Sequence, residues 1–75
     1  MSSLPQISYN MLCKLLRDFS LETSGIGSPQ IHGRNRNGTP YSVHAHPHHD
    51  IRPDVLQRIL HYLDVSRKEF DDWRR

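Results

Sequence analysis

Four of the chain's six histidines, His44, His46, His48 and His49, fall within six consecutive positions, and His32 stands twelve residues before them. Imidazole changes charge nearer neutral pH than any other side chain, so it serves as general acid, general base or metal ligand. His44 and His46 alternate with Val43 and Ala45. In an extended strand that spacing puts both imidazoles on one face, about 7 Å apart. Such a pair suits proton transfer or contact with a phosphate. It also permits two imidazoles on one zinc ion with Asp50 as a third ligand, and it is equally compatible with a merely solvated face. Arg34 and Arg36 sit at either side of a turn and can reach phosphates, which would give sequence-independent, salt-sensitive affinity. Lys14 adds a cation on the outward side of the first helix. No resident metal or other cofactor is expected. A glycine-rich phosphate loop before a helix, carboxylates paired on one face, and a nucleophilic Ser or Cys beside a base are all missing from the sequence, so enzyme classes other than nucleases lack support.

The elements that must hold these residues can be read from hydrophobic spacing. Ser8 is an N-cap, and Met11, Leu12, Leu15, Leu16 and Phe19 then follow at the period of one helical face. Cys13 lies at the edge of that stripe and reads as inert packing. From Leu21 to Thr23 the period becomes two, with Ser20, Glu22 and Ser24 on the other side, which predicts a short strand. Gly25 and Gly27 mark a flexible turn. A second strand is predicted over Gln30 to Arg34. The Asn37-Gly38 pair then signals a hairpin, because both residue types tolerate positive φ. The third strand is predicted from Thr39 to His46, with Tyr41, Val43 and Ala45 facing the core and Ser42, His44 and His46 facing solvent or ligand. Pro53 suits the first turn of a helix, and Leu56, Ile59, Leu60 and Leu63 form its stripe. Ser66 and Glu69 form a capping box for a last short helix, with Val65 stapled to Phe70 and Trp73 as a lid on the core. The order is α-β-β-β-α plus a terminal helix. The fold class is α+β, a three-stranded antiparallel sheet with helices on one face.

Seventy-five residues make a single domain, 1–75, whose margin of stability is thin because so small a chain buries only about 60% of its unfolded surface. The net charge is +2, a modest excess compatible with a nucleic-acid partner but not demanding one. One cysteine excludes an internal disulfide and fits a reducing compartment. There is no apolar run of membrane-spanning or signal-peptide length, and Met1-Ser2-Ser3 lacks a charged start before an apolar stretch. A cytoplasmic protein without a membrane partner is expected.

Several of these segments, in order, resemble the HicA-type toxins, small mRNA-cleaving ribonucleases of bacterial toxin–antitoxin pairs. Leu4-Pro5-Gln6-Ile7-Ser8 is similar to the family's opening. Gly27-Ser28 matches the entry to its second strand, and Val43 to His46 its third strand. Pro53 through Leu60 is similar to the opening of its second long helix, and Val65-Ser66 with Glu69-Phe70 to its closing turn. The resemblance implies a fold like the double-stranded-RNA-binding domain, mRNA as substrate, and a HicB-type antitoxin as partner. The position where the family keeps its catalytic histidine is Pro29. Proline neither takes nor gives a proton. The candidates for proton transfer are then His32, placed by strand alternation on the face opposite residue 29, and His46. Those for RNA contact are Arg34, Arg36, His44 and Lys14. The alternative is a catalytically inactive protein- or RNA-interaction module that keeps the fold.

Overall fold

The computed structural model describes residues 4–75; the reading of Met1-Ser2-Ser3 lies outside the described residues. The elements run α1 (Tyr9–Phe19), β1 (Ser20–Ser24), β2 (Gln30–Asn35), β3 (Pro40–His44), α2 (Pro53–Leu63) and α3 (Arg67–Trp73). Ser8 caps α1 by accepting the Met11 N–H at 3.1 Å. Pro53 opens α2, which ends on Asp64 with φ 58°, a left-handed cap stabilised by Val65 N–H to Leu60 C=O at 3.0 Å. The Ser66–Glu69 capping box opens α3. Reciprocal hydrogen bonds between Ile7 and Ile51 join the two lead-in segments, so α1 and α2 start from adjacent points. Among the described residues no helix is long and apolar enough to cross a membrane.

The sheet is antiparallel in the order β1-β2-β3. Leu12, Leu15 and Leu16 of α1, Leu56, Ile59, Leu60 and Leu63 of α2, and Phe70 of α3 share one core with Ile31 and Val43 of the sheet. Gln30, His32, Arg34, Ser42 and His44 on the other side are exposed. The helices therefore cover one face and leave the other open. Cys13 is buried, as its place on the stripe suggests. Phe19 is half-buried at the rim, its ring 6.3 Å from that of Trp73.

Three expectations change. Leu21 does not face the core. The pairing of Ser20 with Asn35 and of Glu22 with Arg34 leaves Leu21 as the extra residue of a β-bulge, 67% exposed. The bulge shifts the alternation, so Ser20 and Thr23 are the half-buried positions of β1. The third strand ends at His44 instead of His46. Ala45 donates to the Pro29 carbonyl at 3.0 Å, but proline has no N–H to return the bond, so the ladder stops there. At the hairpin only Gly38 has positive φ, at 85°; Asn37 does not. The connection is a turn closed by Gly38 N–H to Asn35 C=O at 2.9 Å, with glycine in the left-handed position after it.

Two polar devices fix the sheet. Asn35 is buried, and its Oδ1 accepts the N–H groups of Asn37 (2.9 Å) and Thr39 (3.0 Å), while its Nδ2 donates to the Tyr62 carbonyl at 2.9 Å. Tyr41 lies across Gly33 and its hydroxyl meets that of Ser20 at 2.6 Å, joining β3 to β1 over the middle strand. Burial raises the Tyr41 phenol above its ordinary pKa. A Cβ on Gly33 would stand 2.6 Å from the Tyr41 hydroxyl and against the Glu22 carbonyl. Gly33→Ala is therefore expected to cost about 1–3 kcal/mol by overpacking. Asn35→Ala, which orphans three backbone groups, should cost about 3 kcal/mol. Urea midpoints of the two variants against the parent check both; an unchanged midpoint for Asn35→Ala would show that the side chain does not organise the hairpin.

Candidate nucleic-acid interface

The open face takes its side chains from strict alternation. In β2 the outward positions are Gln30, His32 and Arg34, and in β3 they are Ser42 and His44. Register sets His32 opposite Ser42 and Gln30 opposite His44. Gln30 links its neighbours: its Nε2 donates to Ser42 Oγ at 3.2 Å, and its Oε1 lies 3.2 Å from His44 Nδ1. Beyond the end of β3 the row continues. The His44 and His46 rings are 4.9 Å apart, edge to face, and the His46 and His49 rings 5.6 Å apart. His49 is held by its N–H to the His46 carbonyl at 3.1 Å. The result is a line of imidazoles, all exposed, leading off one corner of the sheet.

The structure brings together some of the expected site residues and separates others. His44 and His46 are neighbours. His32 is diagonal to His44, about 7–8 Å away in such a lattice. His32 and His46 are not close: Ser42, the partner of His32, lies four residues from His46, about 13 Å along the strand direction. Those two imidazoles do not meet one phosphate as an acid–base pair. Arg34 is on the open face, its Nε 3.4 Å from Glu22 Oε1 and its NH1 3.1 Å from the Gly38 carbonyl. Arg36 is elsewhere. Its guanidinium grips Glu69 at 2.5 and 2.9 Å and also reaches the Asp64 carbonyl. With Asn37 Nδ2 on Asp64 Oδ2 at 2.7 Å, it ties the hairpin tip to the start of α3. Lys14 is exposed on α1, on the helical side of the molecule. Asp50 accepts from Gln6 Nε2 at 2.9 Å. Among the described residues no three His, Cys, Asp or Glu side chains gather as a metal would require.

The loop before β2 is shaped by a residue that sequence reading passed over. Tyr9 is buried, and its hydroxyl donates to the Ser28 carbonyl and accepts the Gly27 N–H, both at 2.9 Å. Burial, partly offset by the Gly27 bond, raises its pKa. Gly25 and Gly27 take positive φ there, and the Ser28 hydroxyl closes on the Gly25 carbonyl at 2.8 Å. A shallow cleft of about 430 Å³ separates this loop from His48 and His49. Pro29 is exposed at the end of the ladder. Its position opposite Ala45 gives it the parity of Ile31, not of His32.

Compared with protein-family models, with curated proteins and with solved structures, the chain matches none.

The two hairpin arginines therefore have separable effects. Arg36 holds the Glu69 carboxyl down to about 2, by hydrogen bonding first. Because the folded value lies below the ordinary glutamate range, this stabilisation is complete above about pH 5 and disappears as pH falls toward 2. Arg36→Ala should lower the thermal midpoint at pH 7 and leave little difference from the parent near pH 2. Arg34→Ala, at a more exposed pair, should leave the midpoint within error at both. Melting curves of the three proteins at both pH values provide the check.

Proposed function

We propose that this chain is a HicA-like protein of a toxin–antitoxin pair, which binds mRNA on the open face of its sheet and is held in check by a HicB-type antitoxin. The observation that carries the reading is the row His32, His44, His46 on an open face that also presents Arg34. Imidazoles beside a guanidinium supply phosphate contact and proton transfer without a metal. The α-β-β-β-α order suits the double-stranded-RNA-binding-domain-like fold of that family. Cleavage by this route has the 2′-hydroxyl lose its proton to one imidazole and attack phosphorus, while a second imidazole protonates the departing 5′-oxygen. The ring spacing of His44 and His46 suits that exchange better than the separation of His32 from His46.

A second reading has its own observation. Pro29 stands at the position of the family's catalytic histidine, and nothing on the open face projects from there. This favours an RNA- or protein-binding module that has lost cleavage. The wild type is accordingly expected to be a weak nuclease, and Pro29→His to raise cleavage and toxicity by about 10²–10⁴-fold, the contribution typical of a general base. Pro29→Ala restores the N–H without the imidazole and should not do so. Gel assays on these proteins with His32→Ala and His46→Ala decide the matter. Robust wild-type cleavage that vanishes with one histidine would show that the chemistry has moved to that residue.

A further inference from the structure

We infer that the open face takes an unpaired RNA segment of about four nucleotides, its bases laid on the imidazole rings, and that it discriminates against duplex. The inference deepens the RNA-binding reading above and depends on it.

Length comes first. Arg34 and Gln30 are four residues apart on β2, about 13 Å, and Gln30 faces His44 across the ladder. The His46 ring stands 4.9 Å from that of His44, past the strand end. The track is therefore about 18 Å long, at the lower end of the site sizes known for single-strand-binding folds, which start near four nucleotides. Chemistry comes second. Along this track the groups offered are flat rings, one amide and one hydroxyl: His32, His44, His46, Gln30 and Ser42, with Arg34 at one end. Rings stack on any base, and the amide and hydroxyl can bond base edges once these are unpaired. The Tyr41 ring lies on the core side, so imidazoles are the stacking surface available.

Charge decides against duplex. Double-stranded RNA is recognised mainly by shape and by phosphate and ribose contacts across successive grooves. This face has a single guanidinium, shared with Glu22 at 3.4 Å. The cations without an ion pair among the described residues are Lys14, Arg17 and Arg58, on α1 and α2, whose side of the sheet is the covered one, and Arg74 and Arg75, which follow α3, with Arg74 over the ring of core Phe70. A duplex drawn by cations would go to the helices, whereas an unpaired strand drawn by rings would go to the open face. Between His32 and His49 the chain has no acidic residue, so the one carboxylate beside the track is Glu22, at its Arg34 end.

The test is fluorescence anisotropy on the full chain with labelled RNA of two, four and eight unpaired nucleotides and with a blunt duplex, at fixed salt. Affinity should rise from two to four nucleotides and then level. The duplex should bind at least tenfold more weakly. His44→Ala and His46→Ala, both at exposed positions, should each lose about tenfold for the tetranucleotide, from about 1–3 kcal/mol of stacking per base. Arg17→Ala with Arg58→Ala should change little. Duplex binding equal to single-strand binding overturns the inference. So does affinity that follows Arg17 and Arg58 and ignores the histidines, or a polyglutamate peptide that competes as well as RNA. If no RNA binds in any form, it is the RNA reading itself that falls.

Discussion

Three backbone groups from two separate elements close on the side chain of Asn35, the buried polar side chain of the core among the described residues. Two of them shape the hairpin, and the third belongs to the end of α2. An amide buried with both its ends satisfied in this way is far costlier to break than to keep. Its consequence reaches the whole open face. The hairpin fixes the register of β2 against β3, and that register decides which side chains stand together. A slip of β2 by one residue against β3 would turn His32 toward the helices and Ile31 toward solvent while His44 stayed outside, and the row would be broken. Arg36 and Asn37 reinforce the lock from outside by holding the tip against Glu69 and Asp64.

The sheet is narrow, so each strand must be tied to its neighbours by more than its ladder. The Tyr41 hydroxyl spans β2 to reach Ser20, and the bare Gly33 makes that crossing possible. The bulge at Leu21 increases the local twist of β1, as bulges generally do. These devices lie on the core side or at the rim. On the open face the structural bonds are those of Gln30 to Ser42 and His44 and of Arg34 to Glu22 and the Gly38 carbonyl, which leaves His32 and His46 free to be chosen for chemistry.

Much of this was legible in the sequence because it depends on local spacing. Ser8, the Ser66–Glu69 box and the leucine stripes of both long helices declare themselves within one or two turns of chain. So do Tyr41, Val43 and Ala45 against Ser42 and His44. What escaped depends on partners far along the chain. Arg36 looks like a free hairpin cation until Glu69, thirty-three residues away, is placed beside it. Tyr9 looks like the start of a helix and proves to be the anchor of the Gly27-Ser28 loop, eighteen residues on. Asn35 followed by Gly38 did carry a local signal, since Asn opening a turn bonds its own backbone two residues ahead; its bond to Tyr62 had none. The distance between His32 and His46 likewise needed the register, not the alternation.

Residue 29 joins the backbone and chemical arguments. A proline there has no acid–base chemistry to offer and leaves the edge of the ladder without one N–H. The carbonyl of Pro29 still accepts from Ala45, so half of the last rung survives. Because the other half is missing, His46 lies past the strand end, where it meets His44 edge to face and His49 beyond. The missing half of the last rung and the place of His46 past the strand end are thus two effects of one ring closure. The open face therefore presents His32 from β2 and, at the end of β3, His44 with the His46 ring 4.9 Å from its own.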